Sequence, residues 1–231
     1  MDDACLRAFP SRHPVLFCAG VGLLLIAAFL GAKAVPLGGS FIGGIDVRDH
    51  HYWCMHFFRT HVLSGSFPLW NPHMYSGHPF AANPANFVFY PPIAIYVLFP
   101  LNWAFDIDLV VHLLAGWLGM CVLVRRMTGS MPAALVAALV YSFNGQIMER
   151  IYGGHLTFIH SAAVIPWVFI AMERVFEEDR PCLFGLAGSA LGLLILTGNT
   201  QIVFYVTAMV CLYLPVRYVS RFGFANPRRF V

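Results

Sequence analysis

The stretch DLVVHLLAGWLGMCVLVRR, residues 108–126, contains an apolar run that ends at the cationic pair Arg125-Arg126. A helix needs about 20 mainly apolar residues to cross the hydrocarbon core of a bilayer. Cationic residues collect at the cytoplasmic ends of such helices. The stretch therefore predicts a membrane-spanning helix at residues 108–124, with its C-terminal end facing the cytoplasm.

The composition of the whole chain is also typical of a membrane protein. Of its 231 residues, 59% are hydrophobic and 11% are charged, whereas an average soluble domain carries roughly 25% charged residues. The net charge of +3 is too small to suggest a nucleic-acid partner. The six cysteines form no CxxC motif, and only Cys54 lies in the predicted outer loop, so a disulfide framework is not expected.

Further apolar runs predict an all-α integral membrane fold, a single transmembrane domain of about six helices over residues 1–231. The additional spans are residues 14–35, 132–148, 156–172, 183–196 and 202–216. Several are short, which implies tilt or local thinning of the bilayer. Ala32-Lys33-Ala34 resembles a signal-peptidase site, but the first run is long for a cleaved signal, so we expect a retained helix.

The distribution of basic residues orients these spans. With a cytoplasmic N-terminus, ten Lys and Arg residues fall on the inner side and four on the outer side. The inner group is Arg7, Arg12, Arg125, Arg126, Arg174, Arg180, Arg217, Arg221, Arg228 and Arg229, and the outer group is Lys33, Arg48, Arg59 and Arg150. This bias predicts that both termini are cytoplasmic. The chain stops just after a basic segment, so we expect it to be the N-terminal part of a longer protein.

Residues 38–106 form a long first outer loop with internal order. Residues 46–63 contain no Pro or Gly and place apolar side chains partly at helical spacing, which predicts an amphipathic helix in the membrane interface. Residues 64–84 are rich in Pro, Gly and aromatic residues, which predicts a packed, irregular loop. Residues 86–101 are apolar but interrupted by Pro91-Pro92, which predicts an interfacial or re-entrant helix.

Several motifs of this loop resemble those of a known family. Residues 68–72 read Pro-Leu-Trp-Asn-Pro, residues 75–80 read Tyr-Ser-Gly-His-Pro-Phe, and residues 89–92 read Phe-Tyr-Pro-Pro. Phe143-Asn144-Gly145 and the run from Gly198 to Gln201 add later points of likeness. The chain is similar here to the bacterial YfhO-type membrane proteins, which belong to the GT-C class of polytopic glycosyltransferases. The resemblance covers most of the chain, although the proteins of that family are much longer.

The resemblance implies a GT-C-like fold in a bacterial inner membrane and a glycosyltransferase activity. The donor would be a polyprenyl-phosphate-linked sugar, transferred on the outer face to a glycan, a lipid or a protein. An acidic residue in the first outer loop acts at the acceptor in GT-C enzymes. Asp46 stands at the matching place and is assigned as the catalytic residue, with Asp49 as the second choice. Membrane lipids are the other expected partners.

Sugar transfer also needs groups that hold the substrates. A leaving lipid phosphate calls for cations, and Arg59, Arg150 and His155 are the outer-side candidates. The Phe- and Tyr-rich segment 87–99 is a candidate groove for the polyprenyl chain. The other positions assigned to substrate binding are Trp70, Asn71, His78, Asn83, Tyr90, Glu149 and Gln201.

Each assignment has a structural alternative. Asp46 at the start of a helix can serve as an N-cap, and Asp49 can be a solvated residue on the helix face. Trp70 and Asn71 suit an interfacial anchor and a turn. Glu149-Arg150 suits a simple surface pair.

A divalent metal is a further alternative for the same loop. Asp46, Asp49 and His50 offer carboxylate and imidazole ligands for such an ion. His50 and His51 are adjacent and point in different directions on a helix, so one site rarely uses both. His112 lies inside a predicted span, where packing or a hydrogen bond is the default role of an ionisable residue.

Two other classes of function compete with sugar transfer. A transporter or flippase for a lipid or small solute predicts ionisable residues and broken helices near the bilayer midplane, whereas polar residues here concentrate in the outer loop. A non-catalytic scaffold, or a fragment inactive on its own, suits the short length of the chain.

Overall fold

The computed structural model describes residues 14–31, 44–178 and 180–222. Within them, the prediction of an all-α chain is confirmed. The helices are α1 (Pro14–Leu30), α2 (Tyr52–Leu63), α3 (Ala94–Leu98), α4 (Leu101–Thr128), α5 (Met131–Ser142), α6 (Gly145–Gly153), α7 (Leu156–Glu177), α8 (Cys182–Leu196) and α9 (Thr200–Phe222). A π-helical turn, Val47–His51, precedes α2, and the short strands β1 (Trp70–Asn71) and β2 (His78–Pro79) pair in antiparallel register.

Four helical stretches are long and apolar enough to cross a membrane. They are α4, the combined α5–α6 stretch, α7 and α9, while α1 and α8 are shorter apolar helices. Large apolar side chains stand exposed along these helices, among them Leu24, Val136, Val140, Phe204 and Leu212. A bundle in water would bury such side chains, so this pattern suits contact with lipid.

Three of the long helices share one end of the bundle, which we call the basic face. Arg126, near the C-terminal end of α4, pairs with Glu177 at the end of α7. Arg217 of α9 donates from Nε and Nη2 to the Glu173 carboxylate of α7, at 2.9 and 2.8 Å. Tyr213 donates to the same carboxylate. The C-terminal ends of α4, α7 and α9 therefore meet at this face.

The intervening helices run back toward the opposite face, which we call the loop face. Cys18 of α1 contacts Met131 at the start of α5, whereas Ile26, farther along α1, packs against Leu109 at the loop-face end of α4. Ser161, near the start of α7, lies 2.6 Å from the hydroxyl of Thr197, directly after α8. This alternation suits the predicted topology, although the number of spans and the cytoplasmic termini stay predictions.

Three helices are clearly longer than the predicted spans, and one of them is α9, which runs from Thr200 to Phe222 against predicted bounds of 202–216. α4 begins at Leu101, directly after Pro100, and so includes residues predicted as outer loop. α7 continues to Glu177, beyond the predicted end at residue 172. Residues 32–35 of the predicted first span, which contain the peptidase-like motif, lie outside the described residues.

The predicted continuous span 132–148 is broken at Phe143 and Asn144. The backbone of Asn144 is extended, and its side-chain oxygen accepts a hydrogen bond from the Ile147 N–H at 2.9 Å. Because an Asn in this position satisfies a free donor at the start of a helix, a new helix, α6, begins here at the loop face.

Residues 44–100 fold as a cap over the loop face of the bundle. Its first part is helical, as predicted, with the π turn leading into α2. The predicted re-entrant helix over residues 86–101 consists instead of a 3₁₀ turn, Pro91–Ile93, and the short α3. An aromatic core fills the cap and joins it to α4, with Phe58, Phe80, Phe87, Tyr96 and Phe105 among its buried members. The cap is therefore held over the N-terminal ends of α4 and α7.

Candidate functional site

Asp46 and His155 approach each other at the loop face. Asp46 directly precedes the π turn, and His155 lies between α6 and α7. The Oδ2 atom of Asp46 is 3.7 Å from the Nδ1 atom of His155, and the two side chains are 51% and 38% exposed. This separation allows an ion pair but is longer than a hydrogen bond. The carboxylate and the imidazole thus face each other where an outside substrate can reach them.

The geometry of Asp46 does not fit the alternative role of a helix N-cap. An N-cap residue has an extended backbone, and its side chain accepts a backbone hydrogen bond. The backbone of Asp46 is itself helical (φ -66°, ψ -31°), and its side chain makes no capping hydrogen bond. The carboxylate oxygens of Asp46 therefore do not cap the helix.

A close backbone contact between two glycines brings this pair together. Gly154 ends α6 with a φ of 85°, in the left-handed region that favours glycine. A Cβ atom at Gly154 would lie 2.7 Å from the Val47 nitrogen, and a Cβ atom at Gly44 would lie 2.2 Å from the Gly154 nitrogen. A side chain at either position would push the two segments apart, so these glycines allow Asp46 to approach His155.

His50 and His78 extend this pair into an outer cluster, which we define as Asp46, His50, His78 and His155. Burial lowers the pKa of His50, the Asp46 carboxylate raises it, and His78 lowers it further. His50 is thus close enough to both side chains to interact with their charges. Both ring nitrogens of His78 are buried and have no hydrogen-bond partner among the described residues. Within the outer cluster, Asp46 and His155 face each other at 3.7 Å, and His50 interacts with Asp46 and His78 through charge.

Asp49, the second choice for the catalytic residue, is paired with Arg48. Its carboxylate accepts a hydrogen bond from the Arg48 Nε atom at 2.7 Å, and both side chains are exposed. This hydrogen bond lowers the pKa of Asp49. The predicted metal-binding set of Asp46, Asp49 and His50 is not drawn together as a ligand group within the described part of the chain.

The two predicted phosphate-binding arginines have different surroundings. The Arg59 Nη1 atom donates to the carbonyl of Tyr96 at 2.9 Å and to a second carbonyl just after α3. Arg150 lies in α6, and its own carbonyl accepts from the His155 N–H at 2.9 Å. Its Nε atom lies 3.1 Å from the carboxylate of Glu149. Arg150 is thus placed beside the outer cluster, whereas Arg59 stabilises the end of α3.

Several other predicted binding residues organise the cap or lie away from the cluster. The side-chain oxygens of Asn71 and Asn83 each accept from a backbone N–H two residues farther on, at 2.9 and 3.1 Å. Trp70 is exposed in the short hairpin. Gln201 donates to the hydroxyl of Tyr205 on its own helix. The local hydrogen bonds of the two asparagines suit a structural role in turns. The substrate-binding roles of Trp70, Asn71, Asn83 and Gln201 stay predictions.

A second group of side chains lies beneath the cap. This buried cluster consists of Tyr90, Asp108, His112 and His160. The Nε2 atom of His160 lies 2.7 Å from Asp108 Oδ2, and the Nδ1 atom of His112 lies 3.2 Å from Asp108 Oδ1. The side chains of Asp108, His112 and His160 are at most 3% exposed. One carboxylate therefore joins imidazoles from α4 and α7 inside the bundle.

Hydrogen bonds fix the positions of the protons in the buried cluster. The His112 Nδ1 atom lies 2.7 Å from the carbonyl oxygen of Asp108, which can only accept. Nδ1 therefore carries a proton, and Nε2 shares a hydrogen bond with the Tyr90 hydroxyl at 2.9 Å. Burial raises the pKa of Tyr90, which keeps that hydroxyl protonated. His160 donates from Nε2 to Asp108, and its buried Nδ1 has no partner in the described part of the chain.

His51 lies between the outer and buried clusters. Its ring centroid is 6.1 Å from that of Phe87, which is in turn 4.8 Å from that of His160. Burial lowers the pKa of His51 to about 3, the histidines on both sides lower it too, and Asp108 partly offsets them. The imidazole is therefore neutral at ordinary pH.

The sequence points to only part of the buried cluster. It singles out His112 as an ionisable residue in a span, and Tyr90 through the family resemblance. Asp108 serves there only as the start of a span, although its spacing of four residues from His112 places both on one helix face. His160 joins them only through the packing of α4 against α7, which no local pattern reveals.

No family model, curated protein or solved structure matches the chain. The resemblance to the YfhO-type proteins therefore stays a prediction.

Proposed function

We propose that this protein transfers a sugar from a polyprenyl-phosphate-linked donor to a hydroxyl of a glycan, lipid or protein acceptor, with Asp46 as the base. The observation that carries the proposal is the approach of the Asp46 carboxylate to His155, at 3.7 Å, on a partly exposed surface. The likeness of the cap motifs to YfhO-type GT-C proteins supplies the class of donor.

The reaction needs one proton acceptor at the place where the new bond forms. As the acceptor oxygen bonds to the anomeric carbon, the bond from that carbon to the phosphate oxygen breaks and the hydroxyl proton passes to a base. Asp46 takes this proton. Its carboxylate makes no capping hydrogen bond, so its oxygens are available to the acceptor, while His155 positions the carboxylate from one side.

The leaving polyprenyl phosphate is stabilised by positive charge. Arg150 lies beside the turn that carries His155, and its planar guanidinium matches the geometry of phosphate oxygens. Glu149 is the present partner of this guanidinium, at 3.1 Å. Arg59 is less suited to the role, because it already donates to carbonyls at the end of α3.

The apolar chain of the donor needs a path along the bundle. In the predicted groove over residues 87–99, Phe87, Tyr90 and Tyr96 are buried in the cap, whereas Phe89, Leu98 and Phe99 are exposed. A mainly apolar groove with a volume of about 760 Å³ runs instead along α5, from Pro132 to Asn144. It ends where α6 begins, and α6 is the helix that carries Arg150.

The proposed setting is the outer face of a bacterial inner membrane, with six spans and both termini in the cytoplasm. The meeting of Arg126 and Arg217 with the acidic end of α7 at the basic face supports this orientation, because arginines are enriched at cytoplasmic ends. The cap and the outer cluster then face the periplasm.

A transfer assay tests the proposed activity. Membranes that contain the longest available form of the protein are incubated with a panel of radiolabelled polyprenyl-phosphate sugars, and matched membranes without the protein serve as the control. Label that moves into a glycan, lipid or protein product only when the protein is present supports sugar transfer. Failure to transfer label from every donor contradicts it.

The buried cluster favours one other function, transport of a lipid or a small solute. Ionisable groups inside a bundle are typical of transporters, and Asp108, His112 and His160 correct the expectation that polar groups concentrate in the outer loop. Vesicles with the reconstituted protein distinguish the two functions. Movement of a labelled lipid across the bilayer without any sugar transfer would favour transport.

A further inference from the structure

The buried cluster has a charge that its protein surroundings balance poorly. Asp108 lies inside the bundle, and its ion-pair partners among the described residues are two imidazoles, His112 and His160. An isolated carboxylate is costly to bury unless a cation or several hydrogen bonds compensate it. Two buried imidazole nitrogens of this region, His160 Nδ1 and His51 Nδ1, make no hydrogen bond within the described residues.

The same side chains form a convergent set of metal ligands. One ligand atom from each of Asp108, His112 and His160 can be chosen so that all lie within 4.8 Å of one another. His160 Nε2 lies 2.7 Å from one oxygen of the Asp108 carboxylate, and His112 Nδ1 lies 3.2 Å from the other. One carboxylate oxygen and two imidazole nitrogens make three protein donor atoms, the number that Zn²⁺ takes where its fourth position is left to another ligand.

We propose that Asp108, His112 and His160 bind a divalent transition-metal ion such as Zn²⁺, which links α4 to α7 beneath the cap. The mixture of imidazole and carboxylate ligands suits zinc and its neighbours in the first transition series better than Ca²⁺ or Mg²⁺. The ion neutralises the buried carboxylate. This inference does not depend on sugar transfer.

Only small movements are needed to accept the ion. Zinc holds nitrogen and oxygen ligands at about 2.0–2.2 Å, so tetrahedral ligand atoms lie about 3.3 Å apart. The 2.7 Å contact between His160 and Asp108 would open by roughly half an ångström, and His112 Nδ1 would give up its hydrogen bond to the Asp108 carbonyl to bind the ion. Because the hydroxyl of Tyr90 lies 2.9 Å from His112 Nε2, it can accept an N–H from that atom once Nδ1 binds the metal.

A buried hydrogen-bonded network is the competing explanation. Asp108 accepts from His160, and His112 is hydrogen-bonded to Tyr90, without any ion. Such a network would stabilise the contact between α4 and α7 but would retain no metal and would be insensitive to chelators. Metal content and its effect on thermal unfolding therefore separate the two explanations.

The experiment uses the full chain without a histidine tag, purified in detergent from cells grown with trace metals. Elemental analysis measures bound zinc, manganese, iron, cobalt, nickel and copper in the wild type and in His160→Gln and His112→Gln. The matched control is His61→Gln, because His61 lies in α2 and bonds to a carbonyl of its own helix. The thermal unfolding midpoint is then followed during treatment with a strong chelator and after Zn²⁺ is restored.

We expect about one divalent ion per chain in the wild type and in His61→Gln, and a background level in the two cluster variants. Chelation should lower the wild-type unfolding midpoint by several degrees, and Zn²⁺ should restore it. If the cluster variants fail to fold, the chelation cycle on the wild type still distinguishes a bound metal ion from a metal-free hydrogen-bonded network. A metal-free wild type whose midpoint does not respond to Zn²⁺ overturns the proposal. Zinc that is lost in His155→Gln but retained in His160→Gln also overturns it.

Discussion

The Nδ1 atom of His155 lies 3.7 Å from the Oδ2 atom of Asp46, although the two residues belong to opposite halves of the described chain. Asp46 enters the cap ahead of α2, and His155 stands at the start of α7. The contact places a carboxylate, an imidazole and the nearby Arg150 at one edge of the loop face. These are the chemical groups that a sugar transfer to a hydroxyl requires.

Replacement of Gly154 should separate this pair. Gly154→Ala puts a Cβ atom 2.7 Å from the Val47 nitrogen and holds alanine at a φ of 85°, so we expect a loss of about 1–3 kcal/mol in unfolding free energy together with reduced transfer. Gly145→Ala, at the other end of α6, is the matched control, because nothing lies within 4 Å of its Cβ position. Equal behaviour of the two variants in denaturant unfolding would argue against the close contact.

Loss of the Tyr90 hydroxyl should weaken the buried cluster. Tyr90→Phe leaves the His112 Nε2 atom without its hydrogen-bond partner, 2.9 Å away. An unsatisfied buried polar group costs about 1–3 kcal/mol. Unfolding in detergent should register this loss in Tyr90→Phe, whereas Tyr75→Phe, which alters an exposed side chain, should unfold like the wild type. A stable Tyr90→Phe protein would show that the hydrogen bond contributes little.

His51 should make the stability of the protein depend on pH. Burial lowers its pKa in the folded state to about 3 from an ordinary value of 6.5. Between these values the unfolded chain binds more protons, so the stability falls as the pH drops through 6.5 toward 3. The slope contributed by His51 is at most about 1.4 kcal/mol per pH unit.

A variant with an aromatic ring that cannot bind a proton tests this dependence on pH. His51→Phe should show a flatter fall in thermal midpoint between pH 6.5 and pH 4 than the wild type. His56→Gln changes an exposed imidazole of α2 and should keep the wild-type profile. Parallel profiles for the wild type and His51→Phe would mean that folding does not lower the pKa of His51.

The ion pair of Arg217 with Glu173 at the basic face should contribute more to the unfolding free energy than the pair of Arg48 with Asp49 in the cap. Glu173 is 8% exposed and Arg217 is 35% exposed, so Arg217→Gln leaves a largely buried carboxylate without its cation. We expect a loss of about 1–2 kcal/mol, less than for a fully buried pair. Arg48→Gln, which breaks the exposed pair with Asp49, should leave the unfolding midpoint unchanged. Equal unfolding midpoints for Arg217→Gln and Arg48→Gln would contradict the larger contribution of the pair at the basic face.

The helical character of the bundle was predictable, because long apolar runs with cationic ends have few other structures in a membrane. The break between α5 and α6 was also readable in principle. Asn144-Gly145 carries an N-cap residue and a glycine inside an otherwise apolar run, but hydropathy alone hides such a signal. The early start of α4 depends on Pro100, which begins a helix without needing a backbone donor.

Single residues of the candidate site were predictable from the sequence, but the contacts between separate segments were not. Asp46 and His155 are each suggested by the sequence, but their approach depends on the packing of Gly44 against Gly154. The contact of Asp108 with His160 likewise depends on how α4 meets α7. Local patterns specify faces and ends of helices, whereas such long-range contacts are set by tertiary packing.

Sugar transfer by Asp46→Asn is the most direct test of Asp46 as the base. The variant is compared with the wild type and with Asp49→Asn, in membranes, with the same labelled polyprenyl-phosphate donor and with equal insertion and thermal midpoints verified. We predict that Asp46→Asn loses at least about a hundredfold in transfer rate, because the amide cannot take the acceptor proton, while Asp49→Asn stays near the wild type. Transfer by Asp46→Asn at the wild-type rate would contradict the proposal and remove Asp46 from the chemistry.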